Sequence, residues 1–304
     1  MVRIGLALGG GGARGISHIH VLQAFDELGV KPDRIVGSSI GAILGATYCS
    51  GLNAREMAEF IVGTFSHRRD IVAKLWQTRA PSLKDFLHDG GFRIGQLNVE
   101  RIVAGFLPPQ VPKTFDALAI PLGVMATDYY RRLECELDSG EIVSAVAASS
   151  ALPAVFRPVR RQGRILVDGG IYNPVPYDRL KGHCDIVVAV DVNGGPDGDP
   201  TLIPTTMDAM IGSSQLMMQA LIDLKVRADP PDILVRPRVS PYKVLDFLRA
   251  QEILGATGLI KEDVKRAIAG AIEARERGIE TGAFTEIVGA NEAGTAREAS
   301  ALAR

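Results

Sequence analysis

Cysteine, tryptophan, net charge and long apolar runs are all scarce in this chain. Its 304 residues include three cysteines and one tryptophan. Cys49, Cys135 and Cys184 are widely spaced, odd in number and in no Cys-x-x-Cys or Cys/His pattern. That excludes a disulfide framework and a thiolate metal site, and reads as reduced, buried thiols of a cytoplasmic protein. No uninterrupted run of about 18 apolar residues exists, so no bilayer span is expected, although contact with a membrane surface stays open. The run at Met1–Leu6 is too short for the core of a signal peptide and is soon broken by glycines. A formal net charge of −1 excludes a general attraction to nucleic acid. What remains is ordinary for a globular chain with a sizeable core: 46% hydrophobic and 23% charged residues.

Short β-prone runs alternate with helical patterns. Arg3–Leu8 stops at a glycine cluster, as a buried strand does. Ile16, Ile19, Leu22, Phe25 and Leu28 then recur at near-helical spacing before Gly29 and Pro32. Arg34–Val36 is a second strand and Ile40–Tyr48 a second helix. Further strands are expected at 120–125, 165–167, 186–190 and 233–235, and helices at 56–66, 98–106 and 141–151. This order predicts an α/β fold with a mostly parallel sheet and helices on both faces. Residues 1–260 read as one catalytic domain, with an insertion or lid over about 67–97. Residues 261–288 read as a helical extension and 289–304 as a disordered tail.

Three segments carry chemistry. Gly9-Gly10-Gly11-Gly12-Ala13-Arg14-Gly15 lies between a strand and a helix, where backbone N–H groups can approach a negative charge. Ile16 stands where a P-loop needs lysine. A dinucleotide fingerprint is undercut by Val36-Gly37-Ser38, which supplies no acid for a ribose. Gly37-Ser38-Ser39-Ile40-Gly41 fits Gly-x-Ser-x-Gly between strand and helix, the setting of a nucleophile elbow with Ser39 exposed at its turn. Ser38 reads as a turn residue. Asp168-Gly169-Gly170 ends another strand, so Asp168 can reach the same crevice.

A serine hydroxyl needs a base to accept its proton. His183 alone follows Asp168 as a triad would require, and it lies in a polar connection. His18, His20, His67 and His88 fall at no metal or triad spacing. The residues therefore favour a Ser39–Asp168 pair, with a Ser-Asp-His183 esterase or thioesterase, or a phosphate- or nucleotide-binding module, as rivals.

At these segments the chain resembles the patatin-like phospholipase family, over roughly residues 3 to 240. Gly10–Gly15 matches the family's oxyanion loop, Gly37–Gly41 its elbow and Asp168–Gly170 its Asp-Gly-Gly box. Met125–Asp128, Ala147–Pro153 and Gly170–Pro176 are further similar segments. The resemblance implies a three-layer α/β/α fold and a Ser–Asp dyad that cleaves lipid esters without histidine, metal or cofactor.

The expected chemistry has Ser39 attacking an ester carbonyl while Asp168 takes the proton, and the N–H groups of Gly10, Gly11 and Gly12 holding the oxyanion. Asp168 serves as a base only if its pocket is partly desolvated. Met207, Met210, Met217 and Met218 lie in an apolar stretch over 203–226. That stretch reads either as a plain core helix or as one that lines an acyl channel or faces a bilayer. Phe156–Arg161 reads as a solvated basic turn or a patch for anionic headgroups. A homo-oligomer is compatible with all of this.

Overall fold

The computed structural model describes residues 2–66, 98–153, 155–279 and 284–289. The expected lid at 67–97, with His67 and His88, lies outside the described residues, as does the expected tail beyond Gly289. The strands are β1 (Ile4–Leu8), β2 (Arg34–Ser38), β3 (Leu122–Asp128), β4 (Leu133–Leu137), β5 (Val159–Arg161), β6 (Arg164–Asp168), β7 (Ile186–Val190), β8 (Ile233–Arg236) and β9 (Thr285–Val288). They form one sheet in the order β5-β6-β3-β2-β1-β7-β8-β9, with β4 on the other edge of β3. The β2-β3, β1-β2, β1-β7, β7-β8 and β8-β9 pairs are parallel, while β4, β5 and β6 are antiparallel to their neighbours.

The helices are α1 (His18–Leu28), α2 (Ile40–Cys49), α3 (Ala54–Phe65), α4 (Val99–Phe106), α5 (Ile142–Ser149), α6 (Thr206–Ala228), α7 (Ala250–Thr257) and α8 (Ile260–Glu276). Alternation along β1 divides the core. Ile4, Leu6 and Leu8 face the large cluster with α1, α2, α5 and α8, whereas Ala7 faces a smaller one with Tyr177, Leu180 and Ile222 of α6. Both faces of the central strands are thus covered, as parallel strands require. Together they make a three-layer α/β/α arrangement.

Two local differences from expectation have tertiary causes. Residues 285–288 add a strand to the sheet rather than continuing a helical extension, and Gly289 N–H extends that ladder to the Arg236 carbonyl at 3.2 Å. The stretch expected as a basic turn is instead the hairpin β5-β6. Gln162 and Gly163 turn it with φ of 49° and 75°, the paired positive values of a tight two-residue hairpin. Arg160 faces out. Arg161 is buried and donates to the carbonyls of Ser139 and Glu141, so it is not available to a headgroup.

Candidate active site

The sheet register brings Ser39 and Asp168 together. β3 has only two edges, and β4 covers one of them from Val124 to Asp128. On the other edge β2 runs parallel as far as Ser38, opposite Met125. β6 arrives antiparallel and ends at Asp168, opposite Ala126. The two strands meet end to end, and the next residue of β2 is Ser39. The Ser39 hydroxyl comes within hydrogen-bonding reach of the Asp168 carboxylate.

Ser39 occupies a sharp turn with φ 54° and ψ −120°. A side-chain-bearing residue in such a region costs about 1–3 kcal/mol and persists only where its surroundings hold it. Here they do. Ser39 N–H donates to Ser149 Oγ of α5 at 2.8 Å, and the Ser38 hydroxyl donates to the Asn173 carbonyl at 2.6 Å. The elbow glycines are required by contact: a Cβ on Gly41 would sit 2.0 Å from the Leu8 carbonyl oxygen, and one on Gly37 would sit 2.5 Å from the Gly41 backbone. The first turn of α2 therefore rests directly on the ends of β1 and β2. Ser38, buried and bonded, holds the turn.

Asp168 is buried and accepts the Gly170 N–H at 2.7 Å, while its own carbonyl accepts the Thr127 hydroxyl at 2.9 Å. Burial pushes its carboxyl up to about 6, against the opposing effect of hydrogen bonds from Ser39 and Gly170. A carboxylate so shifted is a better proton acceptor than an exposed one, and is still mostly ionised at neutral pH. Gly169 lies against β3, where a Cβ would be 2.2 Å from the Met125 carbonyl oxygen.

The glycine loop reaches the same point from β1. Its expected donor set is corrected at Gly10, whose N–H is engaged by the Pro174 carbonyl at 2.9 Å, because that bond pins the loop to the segment after Asp168. Among the described residues the N–H groups of Gly11 and Gly12 have no protein acceptor. Gly12 has φ 61°, and a Cβ there would meet the Val244 carbonyl oxygen at 2.2 Å. Gly15 packs so tightly on Ile40 that a Cβ would lie 2.3 Å from its side chain. Arg14 is neither exposed nor aimed at the oxyanion position. It is buried and donates to the carbonyls of Tyr242 (2.5 Å), Asn193 (2.5 Å) and Gly195 (3.1 Å), holding the loop against the segment after β7.

Ser39, Asp168 and Gly10 to Gly12 line a cavity of about 400 Å³ whose other walls are largely apolar. Ile43 and Leu44 of α2, Ile61 and Phe65 of α3, and Val103 and Phe106 of α4 contribute to them, with Met218 of α6 and Leu245, Phe247 and Leu248. Phe65 stacks on Phe106 and Phe247 with ring centroids 5.4 and 5.2 Å apart. The methionine helix is therefore not a plain core helix. Met218 lines the cavity while Met207, Met210 and Met217 are exposed.

The three described histidines, His18, His20 and His183, lie elsewhere. His183 is exposed and precedes β7, whereas the site gathers at the carboxyl end of that strand, five residues or about 16 Å away. That placement removes the Ser-Asp-His183 arrangement. His18 is buried with Nε2 on the Gly9 carbonyl at 2.9 Å, and burial lowers its pKa to about 4, so the ring is neutral and braces the loop. His20 bonds Gln23 and the Leu254 carbonyl. Among the described residues no group of three His, Cys, Asp or Glu is placed to hold a metal ion. Nor is any helix there long and apolar enough to cross a membrane. The roles of Ser149, Asn173 and Arg14 are not legible in sequence, since each depends on a partner more than 100 residues away.

The sequence profile of the patatin-like phospholipase family matches residues 6–181. An NTE family protein of Mycobacterium tuberculosis is 32% identical over 221 residues, covering 71% of this chain and 57% of its own length. Lysophospholipase NTE1 of Candida glabrata is 26% identical over 82% of this chain and 15% of its own length, and neuropathy target esterase sws of Drosophila melanogaster is 30% identical over 65% and 13%. The chain thus spans about half the length of its mycobacterial relative and a small part of the other two. Human GIVD cytosolic phospholipase A2, solved with methyl gamma-linolenyl fluorophosphonate, superposes with a TM-score of 0.48 at 13% identity, covering 90% of this chain and 60% of that one. With its profile match extending over more than half of the sequence and through all three chemical segments, the chain belongs to the patatin-like phospholipase family.

Proposed function

We propose that this protein is a lipid acyl hydrolase of phospholipase A or lysophospholipase type. Ser39 is the nucleophile, Asp168 the base, and the N–H groups of Gly11 and Gly12 receive the oxyanion. The observation that carries the proposal is a strained serine within reach of a buried carboxylate, opening on an apolar cavity. Ser39 attacks the ester carbonyl carbon as its proton passes to Asp168. The tetrahedral intermediate collapses to an acyl-serine, and Asp168 returns the proton to the departing alcohol. Water, losing a proton to Asp168, then attacks the acyl-serine; as that intermediate collapses, Asp168 returns the proton to the departing Ser39 Oγ, and a fatty acid is released. Each preorganised donor at the oxyanion contributes about 3–4 kcal/mol of transition-state stabilisation. The cavity takes the acyl chain, and relatives named as lysophospholipases support a lipid ester. Wild-type protein is expected to turn over a short-chain p-nitrophenyl ester and, equally well, so is His183→Ala. Inactivity on short- and long-chain acyl esters alike would refute the hydrolase, and loss of activity in His183→Ala would refute the dyad.

The exposed side of α6 suits a transient lipid surface. Met210 and Met217, seven residues apart, share one face, and Ile211 and Met218, one position on, share the adjacent face that lines the cavity. Changing Met207, Met210 and Met217 together to Ser is expected to weaken sedimentation with phosphatidylcholine vesicles while leaving hydrolysis of a soluble short-chain ester unchanged. Undiminished vesicle binding would exclude this face.

A further inference from the structure

The segment after Asp168 touches every moving part of the proposed mechanism, and its anchor lies outside the site. Asn173 O accepts the Ser38 hydroxyl at 2.6 Å, Pro174 O accepts Gly10 N–H at 2.9 Å, and Asn173 N–H donates to Gly169 O at 2.9 Å. Elbow, oxyanion loop and Asp-Gly-Gly turn are thus all tied to two consecutive residues. Those residues are gripped from the far side by Lys225 of α6. Its ammonium donates to Asn173 Oδ1 at 2.7 Å, to the Val175 carbonyl at 3.1 Å and to Asp178 Oδ1 at 2.5 Å, and lies 4.9 Å from the Tyr177 ring centroid. The Asn173 amide NH2 donates in turn to Glu134 (2.9 Å) and Asp178 (3.0 Å), and Arg179 pairs with Glu134. Asn173 is buried and all its side-chain polar atoms have partners, so it has one orientation available.

We propose that Lys225 and Asn173 are positioning residues for the reaction, setting the relative placement of Ser39, Asp168 and the oxyanion donors through the Asn173–Val175 backbone. The proposal rests on the Ser39–Asp168 reading of the site. It also gives α6 a second task. Ile211, Met218 and Lys225 recur at seven-residue spacing and share one helix face. The first two line the acyl cavity and the third holds the loop that carries Asp168.

The test is steady-state hydrolysis of a short-chain p-nitrophenyl ester by Lys225→Met, Ser38→Ala, their double variant, Ser39→Ala and the control Lys181→Met. Lys181 pairs with Asp229 at the end of the same helix but does not touch Asn173. A misplacement of about 1 Å costs up to about 100-fold in rate, so Lys225→Met is expected to lose about 10- to 100-fold in kcat with KM within about twofold. Ser38→Ala, which removes one oxygen atom, is expected to lose about tenfold. The double variant should match the worse single, because both act through Asn173. Lys181→Met should stay within about twofold of wild type, by the ordinary size of surface effects. Multiplicative losses in the double variant, or a loss in Lys225→Met that vanishes on cooling well below its melting temperature, would overturn the proposal. So would full kcat in both Lys225→Met and Ser38→Ala. If Lys225→Met does not fold, Ser38→Ala decides by its kcat alone. Activity surviving in Ser39→Ala would instead overturn the underlying dyad.

Discussion

Ser39→Ala is expected to abolish ester turnover, by about 10⁵-fold or more, as removal of a nucleophile does when the rest of the site cannot substitute for it. Ser38, the adjacent hydroxyl, cannot take its place. It is the last residue of β2, is buried, and donates to Asn173 O, which is also the bond that holds the turn. Alanine keeps the Ser39 N–H bond to Ser149 and most of the side-chain volume. It also keeps the positive φ, so the strain is not released and the melting temperature should change little. The checks are kcat on a p-nitrophenyl ester and thermal unfolding of the same sample. Retained turnover with an intact fold would place the nucleophile elsewhere.

Asp168→Asn should lower kcat by about 10³- to 10⁴-fold, the loss typical when an ionised triad or dyad carboxylate becomes an amide. The same variant should gain stability. Burial raises the carboxyl of Asp168 in the folded state to about 6 from an ordinary value of 3.8. A group raised in this way binds its proton more tightly when folded, so ionising it opposes folding. Below about pH 4 the carboxyl is protonated in both states and there is no cost. The cost grows between about pH 4 and 6 and is constant above, on the order of 2–3 kcal/mol. Asp168→Asn should therefore melt above wild type at about pH 8, with the gap closing towards pH 4. In wild type, kcat/KM should fall as pH drops below about 6, where the base becomes protonated. A melting gap that is absent at pH 8, or an acid limb near pH 4, would mean that Asp168 is not desolvated.

The parts of this site legible in sequence were those in which local geometry dictates the residue. Gly37 and Gly41 stand where another backbone crosses at van der Waals contact, and the buried strands β1 and β7 read as short apolar runs bounded by turns. The proximity of Ser39 and Asp168 follows from their places at strand ends, although only the β3 register shows that the two strands meet head to head. The rest depends on distant partners. β5, β4 and β9 are short or half-polar and become strands because an edge is available to pair with. Arg161 reads as part of a basic turn or headgroup patch, and nothing local in the glycine loop shows that Arg14 is buried; backbone carbonyls from elsewhere in the fold surround both. Gly10 falls inside the motif expected to bind an oxyanion, yet its N–H belongs to Pro174. The methionines of α6 could not be divided between cavity and surface without knowing which side of the helix faces the sheet.

The most direct measurement is the rate and position of covalent labelling by a fluorophosphonate bearing an alkyl chain, read by mass spectrometry of the digested protein in wild type and Asp168→Asn. A Ser–Asp dyad predicts one adduct per chain, on Ser39, forming at least about 100-fold more slowly in Asp168→Asn, since the general base alone contributes about 10²- to 10⁴-fold. An adduct on another residue, or labelling of Ser39 at the same rate in both proteins, would contradict it.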